Sequence, residues 1–389
     1  MKKDIRDFCL DGKNVVIRCD LNVTLSDGKI LDDTRITSSV KSIKYILDNG
    51  GKAIILSHLG KIKTDSDKDK YSLRVVFNRL KELIPNLSFC DSLDFDQVRD
   101  FVNNVNYGDA VLLENTRFYD LDGKLESGNS EILSKFYASL GDIFINDAFG
   151  TMHRAHASNV GISNYLESGI GFLVLKELEN LEVLFNPKPL FGVIMGGSKI
   201  SDKLKVIDSL IERVDVLLIG GAMANTFLKA KGYNIGNSLY EEEMVNYCKD
   251  LILKYDKKIV LPVDFYGDFT LKDESGKYFL LDQFNDMMQL DIGPKTIELF
   301  KSRLNGVNTL FWNGPVGYTD FSSYSYGTFE LLKVIKDIPY TILGGGDVVG
   351  ACKRLNCQDD VTFLSTGGGA TLDYIANRDL VGLKNIKEK

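Results

Sequence analysis

Short, wholly apolar runs recur along the chain, and each breaks off into a polar or glycine-rich cluster. In the first half, Asn14-Val15-Val16-Ile17 leads to Arg18-Cys19-Asp20-Leu21-Asn22, and Ala53-Ile54-Ile55-Leu56 leads to Ser57-His58-Leu59-Gly60-Lys61. Ala110-Val111-Leu112-Leu113 leads to Glu114-Asn115-Thr116-Arg117, and Ile143-Phe144-Ile145 to Asn146-Asp147-Ala148-Phe149-Gly150. Amphipathic segments of helical length, such as Ser38 to Asn49 and Leu73 to Leu83, lie between them. Strands that are apolar on both faces and alternate with helices predict an α/β fold with a parallel sheet covered on both sides. Such open sheets bind ligands at the carboxyl ends of their strands, where every one of these polar clusters falls.

From Gly171 to Phe185 the pattern changes: Val174, Leu178, Leu181 and Phe185 recur at helical spacing, and Asn186-Pro187-Lys188-Pro189 then stops the helix. This helix is read as the junction between a first domain, 1–170, and a second, 171–371. The second half repeats the strand-helix rhythm with glycine-rich strand ends. Phe191 to Ile194 runs into Met195-Gly196-Gly197-Ser198-Lys199, and Val216 to Ile219 into Gly220-Gly221-Ala222-Met223. Thr309 to Phe311 runs into Trp312-Asn313-Gly314-Pro315-Val316-Gly317, and Thr341 to Leu343 into Gly344-Gly345-Gly346-Asp347. Val361 to Leu364 runs into Ser365-Thr366-Gly367-Gly368-Gly369-Ala370-Thr371. Glycines let backbone N–H groups come close to an anion, so this series predicts phosphate cradling. Lys199 and Lys203 open a helical pattern, Ile200 to Ile211, and are expected to share one face and reach one phosphate chain. Asp347 is placed to bridge to phosphate oxygens through a hard cation, for which magnesium fits; its simpler reading is a helix N-cap. A G-x-x-x-x-G-K-[ST] loop is absent, as is a G-x-G-x-x-G with a suitable acidic residue downstream, which argues against Walker-type and dinucleotide sites.

Composition adds bounds. A chain of 389 residues is long enough for two domains with separate cores. A formal net charge of −7 argues against general nucleic-acid binding. The start, Met1-Lys2-Lys3-Asp4-Ile5-Arg6-Asp7, lacks the apolar centre of a signal peptide, and no apolar run is long enough to span a bilayer. The six cysteines are scattered without a C-x-x-C pair, the pattern of reduced thiols in a cytoplasmic protein. Against the acidic total, the first-half strand ends and their neighbours collect Asp20, Asn22, Arg35, His58, Lys61, Arg117, His153, Arg154 and His156, including all three histidines. Arginine's planar fork matches carboxylate and phosphate oxygens. The set predicts a pocket for a small, multiply charged anion, with His156 read as structural. The mixed-charge run from Lys61 to Lys70 reads as a solvated loop.

The ordered series RCDLNV with DDTRI, SHLGK, ENTRF, NDAFGTMHRAHAS, GFLVLKEL, GGSKISDK, GGAMANTFLKA, DIGPKT, WNGPVG, GGGD and STGGGA closely resembles the phosphoglycerate kinase family over nearly the whole chain. The resemblance implies two doubly wound, Rossmann-like domains facing each other across a cleft and joined by the long helix near 171–185. It also implies that the segment 372–389 packs back on the first domain. The implied activity is a phosphotransferase with a carboxyl acceptor, moving a phosphoryl group reversibly between 1,3-bisphosphoglycerate and ADP to give 3-phosphoglycerate and ATP, in glycolysis and gluconeogenesis. A cytoplasmic monomer is implied, with small-molecule partners and neither nucleic acid nor membrane. By the match, Asp20, Leu21, Asn22, Arg35, His58, Leu59, Gly60, Lys61, Arg117 and Arg154 hold the glycerate. Gly197, Lys199, Lys203, Asn313, Pro315, Asp320, Gly345, Gly346, Asp347 and Val348 hold ATP or ADP, and Asp347 links Mg²⁺ to the phosphates. Arg35, Lys199, Gly367 and Gly368 are expected to surround the group in transit.

This chain departs from the family pattern at three places. Lys61-Ile62 stands for Arg-Pro, Asp320 for glutamate, and Val348 for threonine or serine. These departures are what an alternative reading rests on, a catalytically weakened nucleotide-binding scaffold of the same fold. A nicotinamide-dependent oxidoreductase lacks its fingerprint. Because an acyl phosphate is easily lost to water, hinge-bending closure driven by both ligands is expected.

Overall fold

The computed structural model describes residues 2–121, 123–272, 276–283 and 286–389. It forms two compact units, Met1–Glu179 with Asp379–Lys389, and Asn180–Arg378.

The first unit is built on a six-stranded parallel sheet, ordered Leu87–Cys90, Ala110–Leu113, Lys52–Leu56, Asn14–Cys19, Ile143–Asp147, Glu167–Ile170. Alternate side chains leave the sheet on opposite faces. Val15, Ile17, Ala53 and Ile55 enter one core with Ile36, Ile43 and Ile46 of the helix Thr34–Asp48. Val16, Ile54, Val111 and Phe144 enter another with Leu133 and Phe136 of the helix Glu131–Ala138. Each such side chain contributes about 1.5–3 kcal/mol by leaving water, which is why these runs are apolar throughout. Both strands that lack such a run, Leu87–Cys90 and Glu167–Ile170, lie at the sheet's two edges.

The helix read at the junction spans Phe172–Glu182 and continues as a 3₁₀ turn, Val183–Phe185. Its first turn is built into the first unit. Asp147 accepts from the N–H groups of Leu173 at 2.9 Å and Val174 at 3.3 Å, and Ser42 Oγ accepts from Phe172 N at 2.9 Å. The division between units therefore falls inside the helix, after Glu179, rather than ahead of it at residue 171. Residues 372–378 belong to the second unit, because Arg378 and the Tyr374 hydroxyl both bond to Glu182 and Ser209 Oγ donates to Ile375 O at 2.7 Å. Only from Asp379 does the chain rejoin the first unit, where Lys3 N donates to Lys387 O at 2.8 Å and Gly382 N to Met152 O at 2.9 Å.

The second unit has its own six-stranded parallel sheet, ordered Ile259–Val260, Val216–Ile219, Phe191–Met195, Thr309–Asn313, Tyr340–Gly344, Phe363–Leu364. Trp312, the only tryptophan, is fully buried in its core and donates its indole N–H to Gly314 O at 2.8 Å. A three-stranded antiparallel sheet, Lys277–Leu280, Asp264–Asp268, Met288–Ile292, is added between the parallel strands.

One local expectation is corrected. The helix expected from Ile200 begins only at Leu204 and ends at Leu210, so Lys199 and Lys203 precede it and share no helical face. In the turn ahead of it, the Glu241 carboxylate accepts from the N–H groups of Ile200 and Ser201 and from Ser201 Oγ.

Candidate functional site

In the first unit the polar clusters meet at the carboxyl ends of the strands, stitched loop to loop. Leu21 N donates to Ser57 Oγ at 3.0 Å, and Gly60 N to Asn22 Oδ1 at 2.8 Å. Asn115 spans the next pair: Leu59 N donates to its Oδ1 at 3.3 Å, Arg117 N to the same oxygen at 3.1 Å, and its Nδ2 donates to Leu59 O at 2.8 Å. Gly60 has φ of +63°, and a Cβ there would come within 2.3 Å of the Tyr71 ring, so no larger residue fits.

Charged side chains stand on this frame. Arg35, near the start of its helix, ion-pairs with the buried Asp20, and Arg117 donates to Gly60 O. His58 is buried, whereas Lys61 and Arg154 are exposed; Arg154 Nε donates to His153 Nε2 at 3.0 Å. His156 is buried with Nδ1 3.9 Å from Glu126 Oε1. Burial, and then Arg18 and Arg154, hold Arg117 below the usual arginine range. Burial, and then Arg18, Arg117 and Arg154, push His156 down to about 4. Basic groups that depress one another mark a positive field suited to an anion.

In the second unit the glycine turns fall into two classes. Gly196, Gly221 and Gly314 exist for contact between loops: a Cβ on each would lie 2.0 Å from Pro315 O, 2.7 Å from Gly197 N and 2.5 Å from Gly196 O. Close loop packing is by itself a reason for glycine at these three positions. A Cβ at Gly346 or Gly368 would meet nothing within 4 Å, so those backbones face open space. Gly345 and Gly368 have φ of +95° and +54°, which favours glycine. The Gly367 N–H is taken by Ser365 Oγ at 3.3 Å.

Lys203 is half-buried and donates to Asn313 Oδ1 at 2.8 Å; burial lowers its ammonium's pKa, while Asp202 and Asp347 act the other way. Lys199 is exposed. Asp347 is exposed in the first turn of the helix Gly346–Arg354, whose N-cap is Gly345, so it is not the N-cap residue. Val348 is fully buried among Trp312, Leu343 and Ala351, so its side chain faces the core rather than a ligand, and only its backbone remains to serve a site. A cavity of about 280 Å³ is lined by Gly197, Gly221, Ala222, Leu239, Met288, Leu290, Pro315, Gly317, Tyr318, Asp320 and Asp347, among others. It has an apolar interior and carboxylates at its rim, the form of a small-molecule site.

A sequence profile described as phosphoglycerate kinase matches residues 5–378. The chain belongs to the phosphoglycerate kinase family. A curated phosphoglycerate kinase from Macrococcus caseolyticus is 45% identical over 395 residues, and one from Enterococcus faecalis is 46% identical over 395; each alignment covers 100% of both chains. The solved phosphoglycerate kinase from Coxiella burnetii superposes with a TM-score of 0.86 at 33% identity, covering 99% of this chain and 98% of that one. The one from Pyrococcus horikoshii gives 0.85 at 29% identity, covering 98% of each.

Against this phosphoglycerate kinase frame, several supporting residues escaped the sequence reading. Arg18 bonds to His58 and Thr116; a charge inside an apolar strand was its signal. Glu126 accepts from Ser158 N at 3.1 Å and fixes the segment after His156. Asp291 accepts from Gly327 N at 2.8 Å and Ile292 N at 2.9 Å, and a Cβ at Gly317 would lie 2.1 Å from its Oδ1. It clasps both ends of the loop 317–327, which carries Tyr318 and Asp320 to the cavity. Neither Glu126 nor Asp291, nor Glu241, has a local pattern that announces its distant partners.

Proposed function

We infer that this chain catalyses reversible phosphoryl transfer between 1,3-bisphosphoglycerate and ADP, yielding 3-phosphoglycerate and ATP, and that its two units divide the substrates. The observation that carries this reading is the family match along residues 5–378, with 45% identity to relatives over the full chain. The first unit is assigned the glycerate, held by Arg35, Arg117, Arg154, Lys61 and His58, with Asp20 and Asn22 orienting the loops and Leu21, Leu59 and Gly60 supplying backbone. The second is assigned the nucleotide. Its base and ribose take the 280 Å³ cavity beside Pro315 and Asp320, and its phosphates take Lys199, Lys203, Asn313 and the backbones of Gly197, Gly345, Gly346 and Val348.

Asp347 suits magnesium. Its carboxylate is exposed, makes no hydrogen bond among the described residues and stands beside open backbone, and magnesium usually takes one or two carboxylates plus substrate phosphates. When bound, Mg²⁺ neutralises part of the phosphate charge. In the transfer, the bond from phosphorus to the acyl oxygen breaks and one to a β-phosphate oxygen of ADP forms. No proton moves, because a carboxylic acid with a pKa of about 4 is already ionised near neutral pH. The chain's task is thus to position two anions and stabilise spreading charge. Arg35 and Lys199 serve as the cations, and the loop of Gly367 and Gly368 serves as backbone donor once Gly367 N–H leaves Ser365. The protein is assigned to the cytoplasm as a monomer; among the described residues no helix is long and apolar enough to cross a membrane. A coupled assay of ATP formation from 1,3-bisphosphoglycerate and ADP tests the reading, with Mg²⁺ withheld as control. ATP formation that needs Mg²⁺ is expected, and its absence overturns the reading.

A further inference from the structure

Arg18 is the only charged residue of the strand Asn14–Cys19 and is 1% exposed. A guanidinium carries five N–H donors and no acceptor. Arg18 Nη1 donates to Thr116 Oγ1 at 3.3 Å, and Nη2 lies 3.0 Å from His58 Nδ1. Because arginine can only donate, His58 Nδ1 must present its lone pair. We propose that Arg18 is a positioning residue that holds His58 as a neutral imidazole protonated on Nε2, so that His58 meets the substrate as a hydrogen-bond donor and not as a charge.

Two further observations agree. His58 Nε2 has no hydrogen-bond partner among the described residues and is not sealed from solvent, so it is free to donate to an incoming oxygen. After burial, the groups acting most on His58 are Arg18, Arg117, His156 and Arg35, all basic; together they push its pKa well below the usual histidine range. An imidazolium would stand against a guanidinium in a buried place, where like charges repel strongly. Burial pushes the Glu126 carboxyl up, and Arg18, followed by Ser158, acts the other way. Binding through His58 then does not vary across the pH range in which an ordinary histidine titrates.

The inference rests on the proposal that this edge of the first unit binds the glycerate, but its main readout does not. With imidazole and guanidinium ¹⁵N labels in the full chain, the three histidine side chains are few enough to assign with one His58→Gln sample. The expected His58 spectrum has an unprotonated Nδ1 and a protonated Nε2, unchanged from about pH 5.5 to 8, with a coupling through the hydrogen bond between Arg18 Nη2 and Nδ1. A proton on Nδ1, a titration in that window, or a missing coupling overturns the inference. Kinetics give a second reading. The Gln amide nitrogen reaches the place of Nε2, whereas the Asn amide reaches only that of Nδ1. His58→Gln should raise KM for 3-phosphoglycerate about threefold and His58→Asn about thirtyfold; equal effects count against Nε2 donation. The expected spectrum together with no binding of 3-phosphoglycerate would undo the proposed function and leave the His58 assignment standing.

Discussion

Lys199 and Lys203 are close in sequence but differ in freedom. Lys203 is half-buried and tied to Asn313, whereas Lys199 is exposed on a turn pinned by Glu241. A group already held contributes to ground-state binding, and a free one can tighten on charge that develops later. Lys199→Ala is therefore expected to lower kcat by about 10²-fold while ADP affinity, measured by calorimetry, changes little; near-normal turnover would remove Lys199 from the mechanism. Val348 carries a different expectation. Restoring a hydroxyl with Val348→Thr places it in the core, not at phosphate. The variant should lose about 1–3 kcal/mol in urea denaturation and leave KM for ADP unmoved. A tighter KM would show that the side chain reaches the nucleotide.

At the scale of elements, buried carboxylates fasten the parts that carry the site. Burial is the main reason that the Asp147 carboxyl is pushed up to about 7, with Ser42 and the N–H groups of Val174 and Leu173 opposing it. An unfolded aspartate titrates near 4, so between those values the folded chain holds the extra proton. Stability of the first unit should therefore fall as pH rises from about 4 to about 7, and then level. Asp147→Asn keeps an acceptor for the helix Phe172–Glu182 and removes the titration. Its stability relative to the parent should rise between pH 5 and 8 by urea denaturation; a constant difference would mean that Asp147 does not titrate there. Such clasps also mark the limit of what could be read beforehand. The doubly apolar strands and their polar ends were legible, because burial on two faces leaves a continuous run of Val, Ile and Leu. The late start of the helix after Lys203 was not, and the turn ahead of it is bonded to Glu241, far along the chain. Nor was the antiparallel sheet around Asp291, whose strands, such as Asp264–Asp268, mix polar and apolar residues. Nor did the glycines themselves reveal that Gly196, Gly221 and Gly314 pack against neighbouring loops.

For the whole molecule, transfer requires that two separately bound anions meet. Solution scattering should give a smaller radius of gyration with both substrates present than with either alone; no change would count against hinge closure. A second expectation concerns the chain's ends. Residues 379–389 complete the first unit, with Lys389 Nζ donating to Asp4 Oδ2 at 2.6 Å and to Asp7 as an ion pair at 2.8 Å. On the ribosome, residues 180–378 are all made before residues 379–389, so the second unit can finish folding while the first still waits for that strip. Order of synthesis and order of completion are thus reversed for the two halves. In a chain stopped after Arg378, limited proteolysis should find 180–378 resistant and 2–179 readily cut. Equal resistance of both would show that the returning strip is dispensable.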